Sequence, residues 1–442
     1  MKEQFLFGAA TSSVQIEGGY MQDGKGWSIW DEYCKKGLIK NNQTCYVACD
    51  SYNRLEEDLA NIKDLGLNAY RFSISWPRIQ PDGSGKVNQK GIDYYNRLID
   101  GLLKIGVTPF VTLFHWDLPI KLDEQGGFSN RAIVDRFAEY GKIVAENFGD
   151  RVEYFSVFNE IAAIIDFLYE EPVGKGYPPK SHQEGFEAIH NILLSNAAAT
   201  YALRKYSKNK VKVGMVSCSD IAIPVDGDLN LAREVMLAPG GCYFTGNTTY
   251  WDPMMFGKYN EAYLEKYKFD TSFIKDGDME FIKCVPDFIG MNIYLGTKYK
   301  RDENGKPVPA PLGDNYNGAD SYLETAECMY YGPKIMQERY GLPIYVTETG
   351  IDTIDCVNQN GEVIDDVRSE YLRRYFPQLL RAKNDGVNIR GYFMWSLMDN
   401  FEWSTGYTRR FGLIRVNFDT LERLKKKSFY DYAELIKKYK NI

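Results

Sequence analysis

The chain has 442 residues, 44% of them hydrophobic and 26% charged, proportions of a globular protein with a large core. Its 60 acidic residues outnumber the 53 lysines and arginines for a net charge of −7, and no local basic patch compensates, which argues against nucleic acid or an anionic membrane surface as a partner. No run of about 18 apolar residues is present to span a bilayer.

In chain order, MKEQFLFGAATSS offers no apolar h-region followed by a small-residue cleavage site, so the chain reads as cytoplasmic. The eight scattered cysteines then read as reduced thiols. Cys45 and Cys49 are not spaced as C-x-x-C, and with only three histidines in the chain no metal site is expected. FLFGAATS (5–12) is the first of eight apolar runs of strand length. Leu55, Leu59, Ile62 and Leu65 mark a helical stripe before AYRFSIS (69–75), and a second helix precedes TPFVTLF (108–114). Ile133, Phe137, Tyr140 and Val144 mark the next helix, before YFSVFNE (154–160). Gly66, Gly106 and Gly149 close these helices, each where a left-handed residue is expected. KVGMVS (212–217) and FIGMNIY (288–294) follow, then a polar stretch over 300–321 that reads as a loop insertion on the rim, then PIYVTET (343–349) and GYFMWSL (391–397).

Apolar strands alternating with helices predict a parallel sheet buried on both faces. Eight of them fit a closed (β/α)₈ TIM barrel, one catalytic domain over residues 1–442, better than an open sheet. No G-x-G-x-x-G follows a strand and no G-x-x-x-x-G-K-[ST] is present, so nucleotide chemistry loses its usual support.

In such a barrel, ligands bind at the carboxyl ends of the strands, where polar side chains converge without being stranded in the core. Strand two carries Arg71, strand three ends in His115 and Trp116, and strand four in Asn159 and Glu160. Strand six ends in Asn292 and Tyr294, strand seven in Glu348 and strand eight in Trp395. Glu348 is therefore expected at the mouth rather than inside. A lone strand-end glutamate is more often a capping or ion-paired residue, but two of them across a mouth match the machinery of glycoside hydrolysis. One carboxylate acts ionised as nucleophile and one carboxyl stays protonated as acid. Arg71 would hold one ionised, while desolvation or its partner's charge raises the pKa of the other. The rim aromatics Trp116, Trp395 and Trp403 suit the C–H faces of a sugar.

FLFGAATSSVQIEG, YRFSISWPRI, TLFHWDLP, FNE, GMNIY, VTETG and WSLMDNFEWSTGYTRRFGL follow one another as the motifs of glycoside hydrolase family 1, the β-glucosidase family. The chain resembles that family over nearly its whole length. The resemblance implies a (β/α)₈ barrel and a retaining double displacement with no metal or organic cofactor. It implies Glu160 of FNE as acid/base and Glu348 of VTETG as nucleophile, with Arg71 and Tyr294 beside the nucleophile. It places the sugar contacts on Gln15, His115, Trp116, Asn159, Asn292, Tyr294, Glu402 and Trp403, with Trp395 toward the aglycone. The two carboxyls should sit roughly 5–5.5 Å apart.

In the family's 6-phosphoglycosidases a serine, a lysine and a tyrosine after strand eight hold the phosphate; Glu402, Arg409 and Phe411 stand at those positions here. A carboxylate repels a phosphate dianion and accepts from neutral hydroxyls. The expected partner is thus a small unphosphorylated β-D-glucoside, aryl or cellobiose-like, or a short oligosaccharide. The chain departs from the family pattern at Ile161 in place of proline, at Thr349 in place of asparagine, and at Met329 where a tryptophan commonly walls the aglycone side. A 6-phospho-β-glycosidase and a weakly active sugar-binding or transglycosylating barrel remain as alternatives. The choice of glucose, galactose or fucose and the formation of a homo-oligomer also stay open.

Overall fold

A computed structural model describes residues 4–166, 181–239, 246–311 and 322–442. Eight parallel strands close the expected barrel: β1 (Leu6–Ala10), β2 (Ala69–Ser73), β3 (Thr108–Phe114), β4 (Tyr154–Asn159), β5 (Lys212–Cys218), β6 (Phe288–Asn292), β7 (Ile344–Thr349) and β8 (Ile389–Trp395). Around the barrel they run β1-β8-β7-β6-β5-β4-β3-β2. Every residue of β1, β2, β4, β6 and β7 is buried, because helices cover the outside and side chains fill the lumen.

The alternation of side chains along a strand sends Leu6, Ala69, Phe110, Tyr154, Phe288, Tyr345 and Phe393 inward as one packed cluster. The Phe110 ring lies 5.5 Å from Tyr154 and 5.3 Å from Phe393. Gly8 and Gly214 make room for it: a Cβ on Gly8 would lie 2.2 Å from Phe393 Cδ1, and one on Gly214 2.4 Å from Phe288 Cε2. This aromatic plug fills the amino-terminal part of the barrel and leaves the carboxyl end to polar residues.

Two irregularities in the ladders re-aim side chains at that end. Counting by twos from Tyr154 and Tyr345 would turn Asn159 and Glu348 outward. The β4–β5 register shifts between Ser156 and Asn159, and the β7–β6 register shifts between Val346 and Glu348. An extra residue of this kind rotates the strand and returns both side chains to the lumen.

The helices Leu55–Leu65 and Ile133–Phe148 bury the stripes their spacing predicts. Gly66 and Gly106 take left-handed φ values of 78° and 76°. Gly149 does not, with φ at −73°; glycine is needed there because a Cβ would lie 2.2 Å from Ser207 Oγ. Within the predicted insertion, Pro307–Pro309 pairs antiparallel with Thr297–Arg301, and Ala222–Pro224 adds a parallel strand. Residues 312–321 lie outside the described residues.

A largely enclosed set of charges follows β7 and β8, with Arg410 alone partly exposed, at 19%. Lys426 pairs with Asp399 at 2.6 Å and with Asp355, Arg368 pairs with Asp365 and Asp355, and Arg410 pairs with Asp399 at 2.6 Å. Three cations face three carboxylates, so the cluster is neutral as a whole. Arg368 Nη2 also donates to the Arg410 carbonyl at 2.7 Å, and Thr353 N donates to it at 3.1 Å, which ties the segment after Glu348 to the one after Glu402. The seven described cysteines are free thiols. Among the described residues no helix is long and apolar enough to cross a membrane.

Candidate active site

The carboxyl ends of the strands surround a cleft of about 240 Å³. On its floor Glu348 Oε1 accepts from Arg71 Nη1 at 2.5 Å and Oε2 accepts from the Tyr294 hydroxyl at 2.7 Å. Glu348 is only 4% exposed. It lines the cleft at the carboxyl end of β7, turned inward by the register shift in that strand. Arg71 is itself anchored, with Nε on the Thr112 hydroxyl at 3.2 Å and Nη2 on Asn159 Oδ1 at 2.7 Å. Burial, then the charge of Glu348, hold the Tyr294 phenol well above its usual range, so it remains a donor.

Glu160 follows β4 in a left-handed backbone conformation, φ 49° and ψ 73°, which costs a residue with a Cβ and is found where surrounding structure enforces it. Its Oε1 accepts from Asn292 Nδ2 at 2.6 Å. Burial, then the negative charge of Glu348, push its carboxyl up to about 8, against the opposing pull of Asn292 and Arg71. One glutamate thus keeps its proton at neutral pH while the other faces a guanidinium, the split that separates an acid from a nucleophile.

The surrounding amides fix one another. Asn159 Oδ1 accepts from Arg71 and, at 3.1 Å, from Asn292 Nδ2, which leaves its own NH₂ to donate to His115 Nε2 at 3.1 Å. His115 therefore carries its proton on Nδ1, which has no hydrogen-bond partner among the described residues. Burial, then Arg71, hold the imidazole well below its ordinary range, so the ring is neutral. Trp395 and Trp403 lie nearly parallel to it at 5.8 Å and 5.9 Å. Trp395 Nε1 donates to Glu402 Oε1 at 3.2 Å, and burial pushes the Glu402 carboxyl up to about 8.

The profile of Glycosyl hydrolase family 1 matches residues 1–441. The chain belongs to that family. It is 41% identical over 444 residues to the 1,4-beta-D-glucan glucohydrolase of Thermotoga neapolitana, with 98% of each chain covered. It is 40% identical over 447 residues to Beta-glucosidase A of Thermotoga maritima, covering 98% of this chain and 97% of that one. The solved structure of the beta-glucosidase from Thermotoga maritima in complex with glucoimidazole matches with a TM-score of 0.88 at 38% identity and covers 99% of both chains. The family 1 chain is thus a glycoside hydrolase.

The sequence-predicted residues His115, Trp116, Asn159, Glu160, Tyr294, Glu348, Trp395, Glu402, Trp403 and Phe411 all line the cleft of this family 1 enzyme. Arg71 and Asn292 sit just beneath and grip Glu348 and Glu160. Gln15 is not in the wall. It is fully buried, its amide donates to Asn400 Oδ1 at 3.0 Å and the Phe401 carbonyl at 2.9 Å, and Ser12 donates to its Oε1 at 2.6 Å. It holds the segment that leads into Glu402. Met329 is also fully buried, in the helix Cys328–Tyr340, so it forms no aglycone wall. Ile161 and Thr349 both point into packed protein, with the Thr349 hydroxyl 2.6 Å from that of Tyr371. Sequence reasoning missed Tyr322, which lines the cleft, and Trp30, whose ring backs Trp403 at 4.6 Å. It also missed Asp352, four positions beyond Glu348, which binds Arg409 through two 2.9 Å contacts. The only signals were a tyrosine and a tryptophan in an aromatic-rich chain and an acid in a loop.

Proposed function

We propose that this family 1 hydrolase is a retaining β-glucosidase that cleaves terminal unphosphorylated β-D-glucosides, aryl or cellobiose-like. The unequal pair of carboxyls carries the reading: Glu348 held between Arg71 and Tyr294, and Glu160 pushed up to about 8. Glu348 attacks the anomeric carbon and the bond to the leaving oxygen breaks as Glu160 gives that oxygen its proton. A water then gives its proton to Glu160 and displaces Glu348 from the same carbon, so two inversions restore the configuration. The His115 Nδ1 proton and the Glu402 carboxyl offer hydrogen bonds to sugar hydroxyls, and Trp395 and Trp403 offer faces for its C–H groups. The Thermotoga relatives, named as a beta-glucosidase and a beta-D-glucan glucohydrolase, support glucose as the glycone. The prior engagement of Arg409 by Asp352 supports a neutral one.

The test is hydrolysis of an aryl β-D-glucoside beside its 6-phosphate by the wild type and Glu348→Ala, with the first-released anomer read by proton NMR. Turnover of the neutral glucoside alone, with the β-anomer formed first and activity lost in the variant, is expected. Turnover of the phosphate alone overturns the neutral glycone, initial α-anomer overturns retention, and turnover of neither overturns the glucosidase reading.

A further inference from the structure

We propose that Asp352 sets the charge selectivity of the cleft: by engaging Nε and Nη2, one edge of the Arg409 fork, it neutralises that cation ahead of any substrate, so neutral glycosides are accepted and anionic ones rejected. This rests on the glucosidase reading above.

Arg409 is the one lysine or arginine among the described residues that line the cleft. Its Nε and Nη2 meet Asp352 Oδ2 and Oδ1, each at 2.9 Å. This bidentate arrangement matches the one a guanidinium uses to hold a substrate carboxylate or phosphate. The guanidinium also lies over the Phe411 ring, 4.9 Å from its centre. That stacking keeps it at the wall even without its partner.

A count of charge leads to the same place. Arg71 cancels Glu348 and Asp352 cancels Arg409. Glu160 and Glu402, both pushed up to about 8, hold protons at neutral pH. The cleft is therefore close to neutral with no cation to spare, and removal of the Asp352 charge frees the Arg409 guanidinium on the wall beside Glu402, whose carboxyl burial pushes up and Arg409 pulls down. The Asp352 side chain is 29% exposed, and its loop is held independently by the bond from Thr353 N to the Arg410 carbonyl and by Arg368. Substitution there tests charge with little cost to the fold.

The experiment compares kcat/KM for 4-nitrophenyl β-D-glucoside and its 6-phosphate in the wild type, Asp352→Asn, Asp352→Ser, Asp352→Glu and the double variant Asp352→Asn/Arg409→Gln. Where turnover is too slow, the competitive inhibition constants of glucose and glucose 6-phosphate give the corresponding ratio for binding. The phosphate-to-neutral ratio should rise about tenfold or more in the Asn and Ser variants, stay near wild type in Asp352→Glu, and fall back in the double variant. Damage to the fold depresses both substrates together and leaves the ratio alone. An unmoved ratio in both neutral variants overturns the proposal, as does a raised ratio that persists after Arg409 is removed. A wild type that prefers the 6-phosphate overturns the neutral-glycone reading instead, and this is seen before any variant is made.

Discussion

Replacing Asn292 with alanine tests the electrostatics of the acid directly. Asn292 Nδ2 donates to Glu160 Oε1 at 2.6 Å, and its amide cannot turn over because Thr347 Oγ1 donates to Asn292 Oδ1 at 2.8 Å. A donor on a carboxylate stabilises the ionised form, so this bond opposes the burial and the Glu348 charge that bring Glu160 up to about 8. Hydrogen bonds to charged groups contribute about 1.5–3 kcal/mol. At about 1.4 kcal/mol per unit this is one to two units, and water entering the vacated space brings it to the lower end, about one unit. The sign is upward: without the donor the proton is held more tightly, and the acid stays competent to higher pH. The assay is kcat/KM against pH with an alkyl glucoside, whose poor leaving group needs the acid, beside a dinitrophenyl glucoside, which does not. The alkaline limb for the alkyl substrate should move up by about one unit and be shallow or absent for the dinitrophenyl one. An alkaline limb that stays put or moves to lower pH would refute the assignment of Glu160 as the group that titrates there.

Glu348→Ala should lose about 10⁴-fold or more in turnover, and azide should restore part of it with a product of inverted configuration; a folded variant without rescue counts against the nucleophile. Glu160→Ala should lose about 10²–10⁴-fold on poor leaving groups and far less on dinitrophenyl glucosides, and an equal loss on both would sink its role as acid. Because the folded-state pKa of Glu160, about 8, lies above its ordinary 4.5, stability is present below pH 4.5 and is lost as pH rises toward 8. Glu160→Gln should therefore resist urea better than wild type at pH 8 and equally at pH 4.5, and a constant difference between the two pH values argues against the shift. Lys426→Met leaves the buried carboxylates of Asp355 and Asp399 short of a cation and should cost about 3–5 kcal/mol in urea unfolding. A loss below about 1 kcal/mol would place the cluster in contact with water.

The barrel was legible because its signals are periodic: eight apolar runs, and helical stripes such as Leu55, Leu59, Ile62 and Leu65, follow from burial alone. The polar residues at the strand ends were legible for the same reason, since they break those runs. The direction of Glu348 was not. Strict alternation from Tyr345 points it outward, and only a register shift against a neighbouring strand, which no single segment encodes, returns it to the lumen. Gln15 escaped because its fate depends on Asn400 and Phe401, nearly four hundred positions away. The Asp352–Arg409 pair spans two loops and has no period at all.

The pairing of β1 with β8 sets Leu6 to Ala10 against Gly391 to Trp395, and the Tyr432 hydroxyl reaches back to the Gly8 carbonyl at 2.8 Å. On the ribosome the first strand is consequently finished long before its neighbour exists. At about 5–20 residues per second the wait is on the order of 20–80 s, and throughout it one edge of β1 exposes unpaired amides that another chain can capture. A chain that stops short of Gly391 therefore leaves an open sheet prone to association in place of a smaller hydrolase, because the strand that closes the barrel is the last of the eight to be made.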